Sequence, residues 1–457
     1  LTAIKDAPLA VPHAVGMWTY HPDLLARAVP RYTSYPTAAE FGDTVGSEDM
    51  AVALDRVAPD EAISLYLHIP YCREICWYCG CNTGAANRSA RLSNYLARLG
   101  EEIALVARRL DGRGRVGRIA FGGGSPNALP PHAFANLAAQ VRDAFQCDDD
   151  TIVSVEIDPR GFGAGWARVL RGAQVTRASL GVQTFDPAIQ AAIGRVQPEA
   201  EIREAVAILR AAGVSSINFD LMYGLPAQDD DSLRATLATA LTMAPDRLAV
   251  FGYAHVPHMI ARQRRIDATL LPDAAARFRH AALAHETLTG AGYRAVGFDH
   301  FARPDDALAQ AAAAGTLRRN FQGFTEDPAE TLVGLGASAI SEFPDRLLQN
   351  EKNTGRYHMA IGSGRFAVTR GLRRSAEDRL RGRAIEAILT RGEADLSGVP
   401  QLGTVHSRLA PFVAHGLVRW DGERLLLQDD ARPYARVIAA TLDAYRGEEP
   451  ARFSSAV

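Results

Sequence analysis

Residues 63–82 read ISLYLHIPYCREICWYCGCN. The apolar, β-rich opening predicts a short strand over 63–69, and Pro70 stops it. The loop that follows carries Cys72, Cys76 and Cys79 as C-x3-C-x2-C, with Cys81 two residues further on. Thiolates this close on a Gly-containing loop can converge on one soft metal centre. Three of them leave one iron of a 4Fe-4S cube without a protein thiolate, an open position for a substrate or cosubstrate. Zinc is the alternative, but it usually draws four ligands from two separated pairs, and the chain has no second pair. The fifth cysteine, Cys147, reads as an incidental thiol. An odd count packed into one loop is a poor disulfide framework, so a reducing, cytoplasmic compartment is expected.

Further apolar runs predict strands at 118–122, 151–157, 177–182, 216–222, 247–253 and 293–298. Between them, i, i+3, i+4 apolar spacing predicts helices at 93–110, 131–145, 201–212, 232–243 and 274–291, with Gly213 and Gly292 at two C-terminal ends. Strand–helix repetition implies parallel strands with right-handed crossovers. The predicted fold class is α/β: a partial (β/α)6-type barrel over 61–300, with a doubly wound sheet as the alternative. Residues 1–60 are proline-rich and predicted to be an arm, with Tyr32 and Tyr35 as a cover for the barrel's cavity. Residues 301–373 extend the barrel. Residues 374–457 form a mainly helical, winged-helix-like domain: helices at 376–390, 404–414 and 431–446, and a hairpin turning on Asp421–Gly422.

The bulk numbers exclude more than they assign. The chain has 457 residues, 47% of them hydrophobic and 22% charged, with a formal net charge of −2. That balance gives no bulk attraction for nucleic acid, and the winged-helix-like segment has no concentrated basic helix. No apolar run approaches the roughly 20 residues of a membrane-spanning helix, and no signal peptide is expected at the N-terminus.

Taken in order, the segments RYTSYPTA (31–38), YLHIP (66–70), EIDPR (156–160), DLMYGLP (220–226), DHFARPDD (299–306), RNFQG (319–323) and GASAIS (336–341) join the cysteine loop in one pattern. The three-cysteine spacing resembles the radical S-adenosylmethionine (radical SAM) superfamily. The ordered set is similar to the oxygen-independent coproporphyrinogen III oxidases, over about residues 31–352 and more weakly beyond. The resemblance implies a 4Fe-4S cluster on Cys72, Cys76 and Cys79, SAM at the open iron, and two SAM molecules in all. It implies oxidative decarboxylation of two propionates of coproporphyrinogen III to vinyl groups by a 5′-deoxyadenosyl radical, giving protoporphyrinogen IX in haem biosynthesis. A reduced flavodoxin- or ferredoxin-type donor would supply electrons. The competing expectations are a haem chaperone of the same superfamily and an anaerobic haem-degrading methyltransferase.

GGGSP (122–126) ends a strand and opens a helix, where backbone donors and a helix N-terminus favour a carboxylate. Glu156, Gln183 and Asp220 stand at or just past predicted strand ends, the rim where a β/α barrel collects ligand groups. The resemblance carries Tyr66, Gly122, Glu156 and Arg195 over to one SAM, and Gly123, Gly124, Ser125, Gln183, Asp220, Ala254 and Ile340 to the SAM set at large. The Tyr78 backbone would meet adenine. Cys81 would act catalytically near the substrate. The sequence departs from the family at Ser125, commonly Thr, and at Thr184, usually Asp. Four propionates call for guanidinium groups. The candidates are Arg262, Arg264, Arg265, Arg303, Arg318 and Arg319, while His68, His255, His258 and His300 are possible proton donors or haem ligands.

Overall fold

The computed structural model describes residues 13–15 and 18–446. The rest of the predicted arm and of the C-terminal domain lies outside the described residues. Six parallel strands follow one another in space as in sequence: β1 (Ala62–Ile69), β2 (Arg115–Gly123), β3 (Cys147–Ile157), β4 (Val175–Gln183), β5 (Ser216–Tyr223) and β6 (Arg247–Gly252). Six of the eight residues of β1 are buried, as expected of a strand covered on both faces.

The intervening helices show why they pack. In α1 (Ser89–Leu110) the buried residues Leu92, Tyr95, Leu99, Ile103, Val106 and Leu110 recur every three or four positions, a single apolar stripe laid on the sheet. Helices α2 (Pro131–Ala144), α3 (Gly165–Gly172), α4 (Pro187–Ala192), α5 (Glu199–Ala212), α6 (Asp230–Thr242) and α7 (Ala274–Gly290) complete the crossovers. Gly213 closes α5 with φ +90, a conformation that a side chain would resist.

The predicted strand at 293–298 is instead bent into β7 (Arg294–Val296) and β8 (His300–Ala302), antiparallel to each other, with β8 on β6. The break falls at Gly297, whose φ is +57 and against which the Phe324 ring packs so closely that a Cβ would overlap it. Beyond residue 300 the chain returns to the other edge. There β9 (Thr331–Leu335) is parallel to β1, and β10 (Ile340–Phe343), β11 (Arg346–Asn350) and β12 (Val368–Arg373) follow antiparallel. The twelve-stranded sheet therefore has two edges, β7 and β12, and is an open barrel.

Its N-terminal end is plugged. Arg118, Arg177 and Arg247 converge on Glu326, which their charges hold down at about 2 against the opposing cost of burial. The opposite end carries the cysteine loop that follows β1.

A second core joins the arm to the C-terminal module. Trp18, Tyr20, Leu24, Leu25, Val29, Tyr32 and Tyr35 pack with Phe278, Ile385, Ile388, Leu409, Tyr434 and Ile438. The Tyr434 hydroxyl accepts from His21 N and donates to Thr19 O, and the Tyr32 hydroxyl donates to Asp443 at 3.0 Å. Tyr32 and Tyr35 are thus structural anchors of a docked arm. The module pairs helices Ala376–Arg391 and Leu402–Ala414 with a three-stranded sheet. The helix predicted over 431–446 is reduced to a 3-10 stretch, Asp429–Tyr434, and one short turn of α-helix, Ala435–Ala440. Pro433 brings no N–H to the first of these.

Candidate active site at the open end of the barrel

The cysteine loop leaves β1 at Pro70 and is fastened on three sides. Tyr71–Cys72 pairs with Gly84–Ala85, and Trp77 N donates to Ile193 O. The Gln263 side chain donates to Tyr78 O at 2.8 Å and to Ala254 O at 3.0 Å, and accepts from Val256 N. Cys76 is buried, Cys72 and Cys79 are half-buried, and Cys81 is exposed. Two guanidinium groups meet the Cys76 sulfur, Arg195 at 3.2 Å and Arg160 at 3.4 Å. Both also bind Asp158, whose carboxyl they hold below its ordinary range although burial alone would raise it. Burial opposes the Arg195 charge, yet Tyr78, Asp158 and Cys76 outweigh it and push its pKa up. N–H donors on a ligand sulfur stabilise the reduced, more negative form of an iron–sulfur cluster.

Three backbone donors of the glycine run are engaged within the protein. Gly124 N donates to Ile69 O and Ser125 N to Tyr71 O, both at 2.8 Å, and Gly123 N donates to Glu156 at 3.0 Å. A Cβ at Gly123 would strike the His68 ring, and one at Gly124 the Tyr71 backbone. These glycines clamp the second strand end onto the cysteine loop. The Ser125 hydroxyl is spent within the turn, donating to Asn127 and accepting from Asp158 N.

Glu156 is accessible from the lumen yet lies deep in the protein. Loss of bulk solvent pushes its carboxyl up to about 7, with Asp220 and Cys79 adding to the shift and the Gly123 N–H opposing it. Asp220 is raised for the same first reason, while Ser179 and Asn218 each donate to it at 2.8 Å. Among the described residues neither carboxylate has an ion-pair partner. The Tyr66 hydroxyl lies 3.1 Å from His68 Nδ1, and burial takes His68 down to about 4, so it is neutral at pH 7.

Gln183 (φ +67) sits at the β4–β5 register shift, and Ile340 opens β10. The Ala254 carbonyl is the acceptor for Gln263. Thr184 is fully buried against Thr236 at 3.1 Å, so this position, where the oxidases usually carry Asp, does not reach the lumen.

The predicted arginine run resolves differently. Arg262 donates to Cys81 O at 3.1 Å and Thr83 Oγ1 at 3.2 Å, and Arg265 lies over the Trp77 ring, so both brace the cysteine loop. Arg264 is exposed, Arg303 pairs with Asp305, and Arg318 pairs with Glu386. Arg319 lies near Asp299, which His300 holds at 2.7 Å. His255 meets Tyr253 at 2.9 Å, and Cys147 is half-buried at the start of β3. Sequence reading missed Asp158, Arg160 and Gln263 as supports. The first two lay inside a quoted motif, whereas Gln263 stood hidden in an arginine run.

The residues fit the implied groups. Three thiols on one loop, with guanidinium donors on a sulfur, suit an anionic cluster. No trio of His, Cys, Asp or Glu among the described residues is grouped tightly enough for a single ion, and a cube takes its thiolates one per iron. Two carboxylates with raised pKa values and no ion-pair partner among the described residues suit a ligand that brings positive charge, as SAM does.

Comparison with known proteins gives the same answer. Residues 66–240 match the Radical SAM superfamily model. The chain is 45% identical over 425 residues to the oxygen-independent coproporphyrinogen III oxidase of Bradyrhizobium diazoefficiens, covering 91% of this chain and 94% of that one. It is 41% identical to the anaerobic coproporphyrinogen III oxidase 1 of Cereibacter sphaeroides, covering 94% and 96%. The solved coproporphyrinogen III oxidase of Escherichia coli, a radical SAM enzyme, superposes with a TM-score of 0.88 at 34% identity, over 95% of this chain and all of that one. The chain therefore belongs to the oxygen-independent coproporphyrinogen III oxidases of the radical SAM superfamily.

Proposed function

We propose that the open end of this barrel converts two propionates of coproporphyrinogen III to vinyl groups, with Cys72, Cys76 and Cys79 holding a 4Fe-4S cluster. The reading rests above all on the three-thiol loop standing beside two carboxylates, Glu156 and Asp220, that have no ion-pair partner among the described residues. Membership of the family carries the reaction class, an oxidative decarboxylation in haem biosynthesis. When bound, the cluster and SAM supply one-electron chemistry able to remove a hydrogen atom from an unactivated carbon. A propionate that loses a β-hydrogen atom, carbon dioxide and one further electron becomes a vinyl group.

The chain's own residues do the rest. Arg160, Arg195 and Gln263 fix the cysteine loop. Glu156 and Asp220 take the positive part of SAM, with Tyr66, Gln183, Ala254 and Ile340 around it, and a second SAM belongs to the same proposal. Cys81, exposed in the same loop, is the residue proposed to hand over a proton or electron near the substrate. A flavodoxin- or ferredoxin-type protein is the proposed donor, and the cytoplasm the proposed compartment. No helix among the described residues is long and apolar enough to cross a membrane.

The test is an anaerobic assay of reconstituted protein, following carbon dioxide and vinyl formation from coproporphyrinogen III. Cys81→Ser is expected to keep iron, sulfide and SAM binding while losing most conversion. Loss of the cluster in that variant would make Cys81 a ligand, and haem binding without turnover in the parent would replace the oxidase with a haem carrier.

A further inference from the structure

Four guanidinium groups from four distant parts of the chain gather at the ends of β5 and β6. Arg31 comes from the arm, Arg277 from α7, Arg319 from the ribbon Arg318–Asn320/Gly323–Thr325, and Arg436 from the C-terminal module. Arg31 donates to Gly252 O at 3.0 Å, and a Cβ at Gly252 or Gly224 would lie 3.2 Å from an Arg277 nitrogen. Arg319 donates to Arg31 O and Tyr32 O, and Arg436 to Val29 O and Pro30 O. Aromatic rings flank the set: Arg31 over Phe251 at 5.1 Å, and Arg319 over Phe298 at 4.9 Å and Phe324 at 4.3 Å. Arg436 also lies over Phe298, at 5.8 Å.

Carbonyls and ring faces orient Arg31 and Arg319 without cancelling their charge. Asp299 and Glu386 bear on Arg319, and Asp299 bears on Arg436 as well. Glu386 is already paired with Arg318 at 2.9 Å. Arg319 Nη1 is buried with no partner. Burial first, and the facing Arg31 charge with it, pull Arg436 down to about 9 and Arg319 down to about 10. Gathering buried like charges is costly unless an anion completes the set.

The cluster also adjoins the site. Asp299 feels both Arg31 and Arg319 and is held by His300, whose charge in turn reaches Asp220.

We infer that Arg31, Arg277, Arg319 and Arg436 form a carboxylate-binding site for propionate side chains of the tetrapyrrole, with Phe251, Phe298 and Phe324 as its apolar walls. The inference rests on the reading of the lumen as the coproporphyrinogen III site. Because the four residues belong to arm, barrel and C-terminal module, the site exists only when all three are docked. This gives the C-terminal module a role in substrate selection.

The test uses the reconstituted holoenzyme and the variants Arg277→Gln, Arg277→Lys, Arg31→Gln and Arg319→Gln, with Arg234→Gln on α6 as control. For each of the three Gln substitutions, the KM for coproporphyrinogen III should rise tenfold or more. The Kd for coproporphyrin III, the oxidised form used as a fluorescent probe, should rise in parallel. Cluster content and SAM affinity should stay within twofold of wild type, and Arg277→Lys should recover part of the loss. In wild type, the tetramethyl ester of the probe should bind at least as poorly as the acid binds to the variants. Unchanged KM and probe Kd across the Gln variants, in a wild type that turns over, would overturn the carboxylate site alone. A wild type that binds SAM but never converts the substrate would overturn the parent reading instead.

Discussion

One lumen has two unlike sides. Towards β3 and β5 it presents Glu156 and Asp220, carboxylates fed by hydroxyl, amide and main-chain donors and by no cation. Towards β6, α7 and the arm it presents guanidinium groups tied to carbonyls and rings. Each side carries a charge that burial penalises, and the two do not neutralise each other. Asp299 and His300 stand between them and pair with each other. Such a division suits two ligands of opposite sign held at fixed separation: a cationic cosubstrate beside the cysteine loop, and a polyanion beyond it. The cost of keeping the charges apart is met when both ligands bind, which favours reaction only when both are present.

If the two sides are independent, damage to one should spare the other. The largest effect is expected at the cysteines. Cys72→Ala, Cys76→Ala and Cys79→Ala should each abolish iron–sulfur absorbance and all SAM cleavage, since each removes one iron's protein ligand. Binding of coproporphyrin III should stay within a few-fold of wild type, because the guanidinium side is built from other segments. Full iron and sulfide content in any one variant would refute that ligand assignment. Loss of probe binding in all three would show that the sides fold as one unit.

A second division shows what sequence can and cannot disclose. The β/α alternation was readable because strands covered on both faces are apolar runs, and helices such as α1 carry one unbroken stripe. The cysteine loop was readable because its chemistry is local. Glu156, next to last in β3, and Asp220, inside β5 three residues before its end, were readable from the motifs EIDPR and DLMYGLP that carry them. Strands β9–β12 were not, since they are short and two of them, β9 and β12, are interrupted by Gly334 and Gly371. Gly334, for one, is packed against the Ile340 backbone with no room for a side chain. The guanidinium set was the least readable. Its members span residues 31 to 436, so nothing but the fold assembles them. The conspicuous run at 261–265 instead braces the cysteine loop through Arg262 and the buried Gln263 between its arginines.

The carboxylate side gives the next effect in size. Glu156→Gln and Asp220→Asn should each weaken SAM binding by about 10- to 100-fold, the worth of a charge-assisted hydrogen bond. Cluster content and coproporphyrin III affinity should be unchanged. Equilibrium dialysis with labelled SAM measures the first, and iron and sulfide analysis the second. Unchanged SAM affinity in both variants would remove these residues from the cosubstrate site.

The smallest effect is a pH dependence, and its sign follows from Glu156. Burial pushes this carboxyl up to about 7, Asp220 from β5 and Cys79 from the loop push it further up, and the Gly123 N–H resists. Tyr66 faces it from β1 and is itself neutral well into the alkaline range, because burial raises its pKa. Above pH 7 Glu156 is therefore ionised and able to meet a cation; below pH 7 it takes a proton and loses that ability. A bound cation lowers the carboxyl's pKa, so binding below pH 7 must expel the proton first. SAM affinity should accordingly fall by about tenfold between pH 8 and pH 6, the ratio of ionised fractions for a group titrating near 7. In Glu156→Gln most of that slope should vanish, leaving the contribution of Asp220, whose pKa is also raised by burial. An equal slope in wild type and Glu156→Gln would place the titrating group elsewhere. A slope that survives Glu156→Gln but is lost in Asp220→Asn would give the cation to Asp220 alone.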